Sequence, residues 1–132
     1  MTSTTAKTLK TKLAQKSFVV SLVRDRLGCG CPEEVFDHYE VTEVKFGLLP
    51  FIELVMGGRL LVWIIEGEDS LPLAQHGAQL LNKGRFERDR RGLNRFRLVW
   101  IGHPLDPSLE SEMIKTAEGI DPKVHFHQLM DI

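Results

Sequence analysis

Two cysteines, Cys29 and Cys31, stand two residues apart in a glycine-rich segment and are the only cysteines of the chain. Two thiolates at this spacing can share a soft or borderline metal ion such as zinc, iron or copper. Because a structural zinc site has four ligands, we expect His38 or a second copy of the chain to add donors. The pair could instead form a strained disulfide that responds to redox state, or pack as two small side chains in a turn.

A second candidate is the basic segment 83–97, which holds seven Lys or Arg residues and two acidic ones. Clustered arginines can contact the phosphates of a nucleic acid or a nucleotide. We expect such contacts from five of them, Arg85, Arg88, Arg90, Arg91 and Arg95. In the alternative, the same residues complement the dipole of a helix end and pair with neighbouring acids.

Polar side chains also follow two of the predicted strands. Glu66, Glu68 and Asp69 follow one strand, and His103 follows the next. Since ligands of open α/β sheets bind beyond the carboxyl ends of parallel strands, these groups could hold a divalent metal or carry out acid–base chemistry. They could equally cap a helix and shape a turn before Pro104.

Two histidines, His125 and His127, lie two apart in the last predicted strand and therefore share one face of it. This spacing can ligate a metal ion if a third group such as His103 joins them. The alternative is a polar face on an edge strand.

The elements that must position these residues follow from hydrophobic periodicity and from Gly and Pro punctuation. The patterns predict a helix over 17–27 that ends at Gly28, a short helix that Cys31 caps and that runs to about residue 37, and a strand over 38–46. Next come a hairpin of strands 51–56 and 59–66 around Gly57-Gly58, and a helix over 71–91 that begins at Asp69 or Ser70 and ends at Gly92. A strand over 95–102, a helix over 107–118 and a strand over 123–129 complete the chain.

This order predicts one small three-layer α/β domain over 17–132, with α+β as the alternative class. We expect a mixed sheet of about five strands, the element order α-β-β-β-α-β-α-β and two right-handed βα crossovers. Residues 1–16, which hold four lysines and no acidic residue, are expected to form a disordered basic tail. The expected core is Leu22, Val23, Val55, Leu61, Val62, Ile64, Leu80, Leu81, Leu98, Val99 and Ile114.

The order α-β-β-β-α-β over residues 17–102 resembles the core of the restriction-endonuclease-like, or PD-(D/E)xK, nucleases. The rhythm of the segment 50–66 is similar to the two strands that carry the metal site of that family. The catalytic letters differ, since Phe51 or Ile52 stands in place of the Asp, Ile64 in place of the Glu, and Glu66 in place of the Lys. A Glu-x-Lys does occur at Glu43, but on the first strand. The resemblance therefore implies a nucleic-acid-binding fold without the metal site of the family.

Bulk composition is that of an average globule, with 132 residues, 42% hydrophobic and 27% charged residues and a net charge of −1. We therefore expect no polyanion binding by bulk charge, no membrane span and, without an export signal, a cytoplasmic location. Three functions remain open: a small binding or accessory protein with a Cys-x-Cys metal- or redox-responsive site, a nuclease-like nucleic-acid-binding module, or an interaction protein that forms a homo-oligomer through a sheet edge.

Overall fold

A computed structural model describes residues 9–28, 30 and 33–130. Residues 9–13 are helical, and helix α1 (Lys16–Val20) continues as a π-helical turn, Ser21–Arg26. A 3₁₀ turn (Glu33–Asp37) precedes strands β1 (Tyr39–Phe46), β2 (Leu49–Met56) and β3 (Leu60–Gly67). Helix α2 (Leu71–Arg90), strand β4 (Arg95–Gly102), helix α3 (Pro107–Ile120) and strand β5 (Val124–Leu129) follow.

The five strands form one mixed sheet in the order β1-β2-β3-β4-β5. The first three strands are antiparallel, whereas β3, β4 and β5 are parallel. Gly57 and Gly58 form the β2–β3 turn with φ of +56° and +64°, which fits a type I′ hairpin. A Cβ at Gly57 would also collide with the backbone of Val35, so this turn needs glycine for two reasons. The predicted α/β class, element order and hairpin are confirmed, as are two helical crossovers that leave β3, β4 and β5 parallel.

Helices cover both faces of the sheet and give it three layers. Helical residues between Leu9 and Phe36 pack on one face, which we call the N-terminal face, and α2 and α3 pack on the other, the α2/α3 face. On the central strand β3, side chains alternate strictly between the two cores, because successive residues of a strand point to opposite faces. Gly84 lets α2 approach the ring of Phe96 on β4 more closely than any side chain would allow.

Most of the predicted core is buried, with two exceptions. Ile114 is 38% exposed, since it lies on the outer side of α3, while Met113 and Ala117 face the sheet. Val55 is half-buried on β2 and packs at the margin of the α2/α3 core. The sequence pattern gave the correct helix for Ile114 but the wrong side of it.

The ordered domain begins earlier than the sequence suggests. Within the segment expected to be a disordered tail, Leu9 and Leu13 are buried among Leu22, Val62 and their neighbours, while residues 1–8 lie outside the described part of the chain. Their spacing of four residues places both on one side of a helix, where burial of two leucines offsets the cost of ordering the segment. The described residues contain no helix that is both long and apolar enough to cross a membrane.

Candidate anion-binding site on strands β4 and β5

Arg97 lies on β4 with its side chain on the N-terminal face, between Val62 of β3 and His125 of β5 in the strand register. The residue is only 5% exposed. Its Nη1 donates a hydrogen bond of 2.8 Å to Nε2 of His127, while its Nε is buried without a hydrogen-bond partner. Among the described residues no carboxylate lies within ion-pairing distance of this guanidinium. Within the described part of the chain, Arg97 is therefore a buried cation without a matching anion.

The state of His127 follows from this contact. A guanidinium can only donate hydrogen bonds, so Nε2 of His127 must accept and the neutral imidazole carries its proton on Nδ1. Burial, and next the charge of Arg97, lower the pKa of His127 from 6.5 to about 4. Burial, and next the charge of Arg95, also lower the pKa of Arg97, which still stays protonated at neutral pH. Arg97 and His127 together therefore carry one positive charge at neutral pH rather than two.

His125 completes a small group on the same face. Its ring centroid lies 6.3 Å from that of His127. Burial, then the charges of Arg97 and Arg95, lower its pKa, and Glu118 opposes them weakly. Both imidazoles are therefore neutral at neutral pH and can donate or accept hydrogen bonds beside the cation.

The nearest acidic group on this face along β3 is Glu66. It lies four residues beyond Val62, which is about 13 Å at the usual rise of a strand. Burial raises the pKa of Glu66, so this carboxyl also loses charge more readily than an exposed one. Glu66 does not neutralise Arg97.

Further basic residues mark the ends at which β3, β4 and β5 begin. Arg59 precedes β3, and its carbonyl accepts hydrogen bonds from the backbone N–H groups of Asn94 and Arg95. Arg59 and Arg95 are exposed and have no ion pair with any described residue. Lys123 precedes β5 and donates to the side-chain oxygen of Asn94. We call Arg59, Arg95, Arg97 and Lys123 the strand-start cluster.

Three of the arginines predicted to bind phosphate differ from Arg97, because Arg88, Arg90 and Arg91 each form ion pairs with carboxylates. Arg88 is nearly buried on α2, and its Nη2 lies 2.9 Å from both Asp89 and Asp121. Its Nη1 has no hydrogen-bond partner among the described residues. The Arg88 guanidinium lowers the pKa of Asp121 to about 2, first through the hydrogen bond between them.

Arg90 and Arg91 share the nearly buried Glu87, at 2.6 Å and 3.3 Å. Arg91 also lies 3.0 Å from Glu53 of β2, which is 6% exposed and accepts a hydrogen bond from Nε1 of Trp63. These ion pairs tie the end of α2 to the sheet. They favour the alternative interpretation of the basic segment for Arg88, Arg90 and Arg91, whereas phosphate contact by Arg85 and Arg95, both exposed, stays a prediction.

The cysteine hypothesis stays a prediction as well, because Cys29 and Cys31 lie outside the described residues. His38 is exposed, and its carbonyl accepts a hydrogen bond of 2.8 Å from the N–H of Gly57 in the β2–β3 turn. Metal analysis of the wild-type protein beside the Cys29→Ser/Cys31→Ser variant tests the pair directly.

The four candidates at the strand ends do not form one cluster. Asp69 accepts a hydrogen bond from the N–H of Leu71 at the start of α2, and Glu68 is exposed. The carbonyl of His103 accepts a bond from Nε1 of Trp100, and its ring is not shown to contact Glu66 or His127. Within 9–28, 30 and 33–130, no three His, Cys, Asp or Glu side chains are placed to hold a metal ion.

Of the positions that the resemblance aligns with the nuclease metal site, Ile52 and Ile64 are apolar and buried, and Glu66 is a half-buried carboxyl in place of the Lys. Ile52 and Ile64 face each other across β2 and β3 and are 3% and 1% exposed. Hydrocarbon side chains cannot ligate a cation, so metal-dependent cleavage of the nuclease type has no ligands at these positions.

Sequence reasoning noted that His125 and His127 share a face but did not join them to Arg97. The sequence assigns Arg97 to the basic segment without predicting a role for it, and it does not predict the ion pairs of Glu53 and Asp121. The available signal was the Arg-x-Arg of residues 95–97, whose alternation puts two cations on one face of a strand otherwise rich in apolar residues.

Comparison of the sequence with known protein families finds no matching family model. Comparison with curated proteins finds no matching relative.

Proposed function

We propose that this protein is a nucleic-acid-binding module with a restriction-endonuclease-like topology and without the metal-cleavage residues of that family. One observation carries the proposal: the exposed Arg59 and Arg95 of the strand-start cluster form no ion pair with a described carboxylate, whereas Arg97 is buried and Lys123 lies near Asp121. Exposed cations without ion pairs attract phosphates, and the phosphates release counterions on binding.

The fold supports the proposal in a second way. The antiparallel β1-β2-β3 meander, followed by a helix and a parallel β4, has the element order of the nuclease core that the sequence resembles. Since fold alone does not define function, the cluster and its charges bear the weight of the proposal.

The test is a fluorescence-polarisation titration with 5′-hydroxyl single-stranded and duplex DNA and RNA oligonucleotides at several salt concentrations. We expect micromolar binding at low salt and a linear fall of log K with log salt. In the Arg59→Gln/Arg95→Gln variant the affinity should fall about tenfold, and the salt slope should become shallower by about two.

Arg90→Gln is the matched control, because Arg90 is exposed but paired with Glu87. It should lower the affinity less than threefold. If no oligonucleotide binds at low salt, or if Arg90→Gln weakens binding as much as the double variant, the proposal is wrong.

A further inference from the structure

The buried guanidinium of Arg97 is an expensive feature for a small domain. An arginine remains charged in proteins, and burial of a charge without a partner is strongly unfavourable. Buried charges in folded proteins are therefore normally paired. The described residues give Arg97 a neutral imidazole and leave its Nε without a partner.

The described residues offer few sources for the missing anion. Residues 1–8 contain no acidic side chain, while the side chain of Glu33, Asp131 and the terminal carboxylate of Ile132 lie outside the described part of the chain. Among the described acids, Glu66 on the N-terminal face is too far along β3, and Glu118 of α3 influences His125 without pairing with Arg97. An anion from outside the chain would satisfy both the charge and the free Nε.

We infer that Arg97, flanked by Arg95, His125 and His127, is a binding site for a phosphate monoester. A guanidinium offers two parallel N–H groups that match two oxygens of a phosphate. Nε and a terminal nitrogen of Arg97 form such a fork, the exposed Arg95 adds charge two residues away on the same face, and the imidazole N–H groups supply further donors.

Two kinds of ligand could supply this phosphate group: the 5′-terminal phosphate of a nucleic acid and a free phosphate. The first source rests on the proposed function and would make the protein a reader of nucleic-acid ends. Backbone phosphodiesters, which carry a single charge, would remain the ligands of the exposed strand-start residues.

Phosphate binding at this site is coupled to the protonation of His127. A dianion beside His127 favours the imidazolium, which can form only if Arg97 releases Nε2 and turns its N–H groups to the phosphate, because a protonated Nε2 cannot accept a hydrogen bond. Binding should therefore raise the pKa of His127 from its depressed value, and lower pH should in turn strengthen binding. The charged and titratable groups that act on this histidine are Arg97 and His125, with Arg95 and Glu118 acting through His125.

The first experiment measures thermal unfolding and histidine NMR signals of the full chain with inorganic phosphate, at ionic strength matched with sodium chloride. We expect phosphate to raise the Tm and to shift the His127 titration upward by one pH unit or more. The Arg97→Gln variant should lose both responses, whereas Arg90→Gln, which removes an exposed arginine paired with Glu87 on α2, should keep them.

The second experiment compares one oligonucleotide with a 5′-phosphate and with a 5′-hydroxyl. If the nucleic-acid end is the source, the phosphorylated form binds at least tenfold more tightly, and Arg97→Gln removes that difference. If the two forms bind equally while inorganic phosphate still shifts His127, free phosphate is the source.

The inference is overturned if phosphate moves neither Tm nor the His127 titration, or if Arg97→Gln responds as the wild type does. That failure is separate from failure of the proposed function, which is measured with 5′-hydroxyl oligonucleotides. If Arg97→Gln does not fold, the NMR titration of the wild-type protein still decides the question.

Discussion

Two arginines of this protein are almost equally buried but have opposite electrostatic surroundings. Arg88 on α2 lies between Asp89 and Asp121, whereas Arg97 on β4 faces a neutral histidine. Both belong to one basic segment of the sequence, only nine positions apart. The comparison shows that the local density of arginine in a sequence does not tell which guanidinium is free, since acids from distant parts of the chain decide it.

The largest expected effect is a difference in stability between two matched substitutions. Arg88→Met should lower the free energy of unfolding by about 3 kcal/mol, because it leaves Asp121 without its partner. Arg97→Met should leave it unchanged or raise it by about 1 kcal/mol, because it removes an unpaired buried charge. Urea unfolding at pH 7 and low phosphate measures both.

A loss of stability in Arg97→Met as large as that in Arg88→Met would break the comparison. It would mean that a carboxylate does face Arg97 in the folded protein.

The contacts of Arg97 with His127 and of Arg88 with Asp121 should also lose their contributions to stability in different ranges of pH. The pKa of His127 is lower in the folded protein, at about 4, than its ordinary 6.5, so the folded state favours the neutral ring. Its contribution is complete above pH 6.5 and is lost as the pH falls through 4, a loss of about 3 kcal/mol.

Asp121, whose pKa falls from 3.8 to about 2, stabilises the fold above pH 3.8, and this contribution is lost only between pH 3.8 and about 2. Unfolding measured from pH 8 to pH 2 should therefore show two separate declines. His127→Gln should reduce the upper one, to which His125 also contributes, and Asp121→Asn should reduce the lower one, to which Glu87 also contributes. A single decline that neither variant alters would contradict the separation.

Removal of the acidic partner of a paired arginine tests the same difference between paired and unpaired charges, and Glu53 is the partner of Arg91. Glu53→Gln keeps an oxygen for Nε1 of Trp63 but removes the charge that faces Arg91, so we expect a loss of about 1–2 kcal/mol. The Trp fluorescence spectrum should change little. Glu43→Gln, an exposed carboxylate on the edge strand β1, is the control and should be nearly neutral.

The smallest effect is expected at Arg90, which is 56% exposed and pairs with Glu87 on the same helix. Arg90→Gln should lower the midpoint of urea unfolding only slightly at low salt and less at high salt, because an exposed ion pair is screened. A loss as large as that of Glu53→Gln would show that exposure is a poor guide to the strength of these pairs.

The sequence by itself determined nearly all of the secondary structure, but not the order of the strands in the sheet. The Gly57-Gly58 turn specifies a hairpin, and the strand–helix–strand segments after β3 favour parallel strands, while the order β1-β2-β3-β4-β5 was decided by the tertiary structure. The helix over 107–118 runs two residues further, through Gly119, because Ile120 packs against the core. The segment 9–16 escaped prediction because two leucines among polar residues gain their stability only from a core that the rest of the chain provides.

The candidate site depended on tertiary structure. The sequence places Arg95 and Arg97 on one face of a strand and His125 and His127 on one face of another. The parallel pairing of β4 with β5 then sets Arg97 beside the histidines, and the packing of α2 on the sheet brings Glu53 to Arg91 and Asp121 to Arg88. Charge compensation depends on distances of a few ångströms between residues up to 38 positions apart, and only the folded chain fixes those distances.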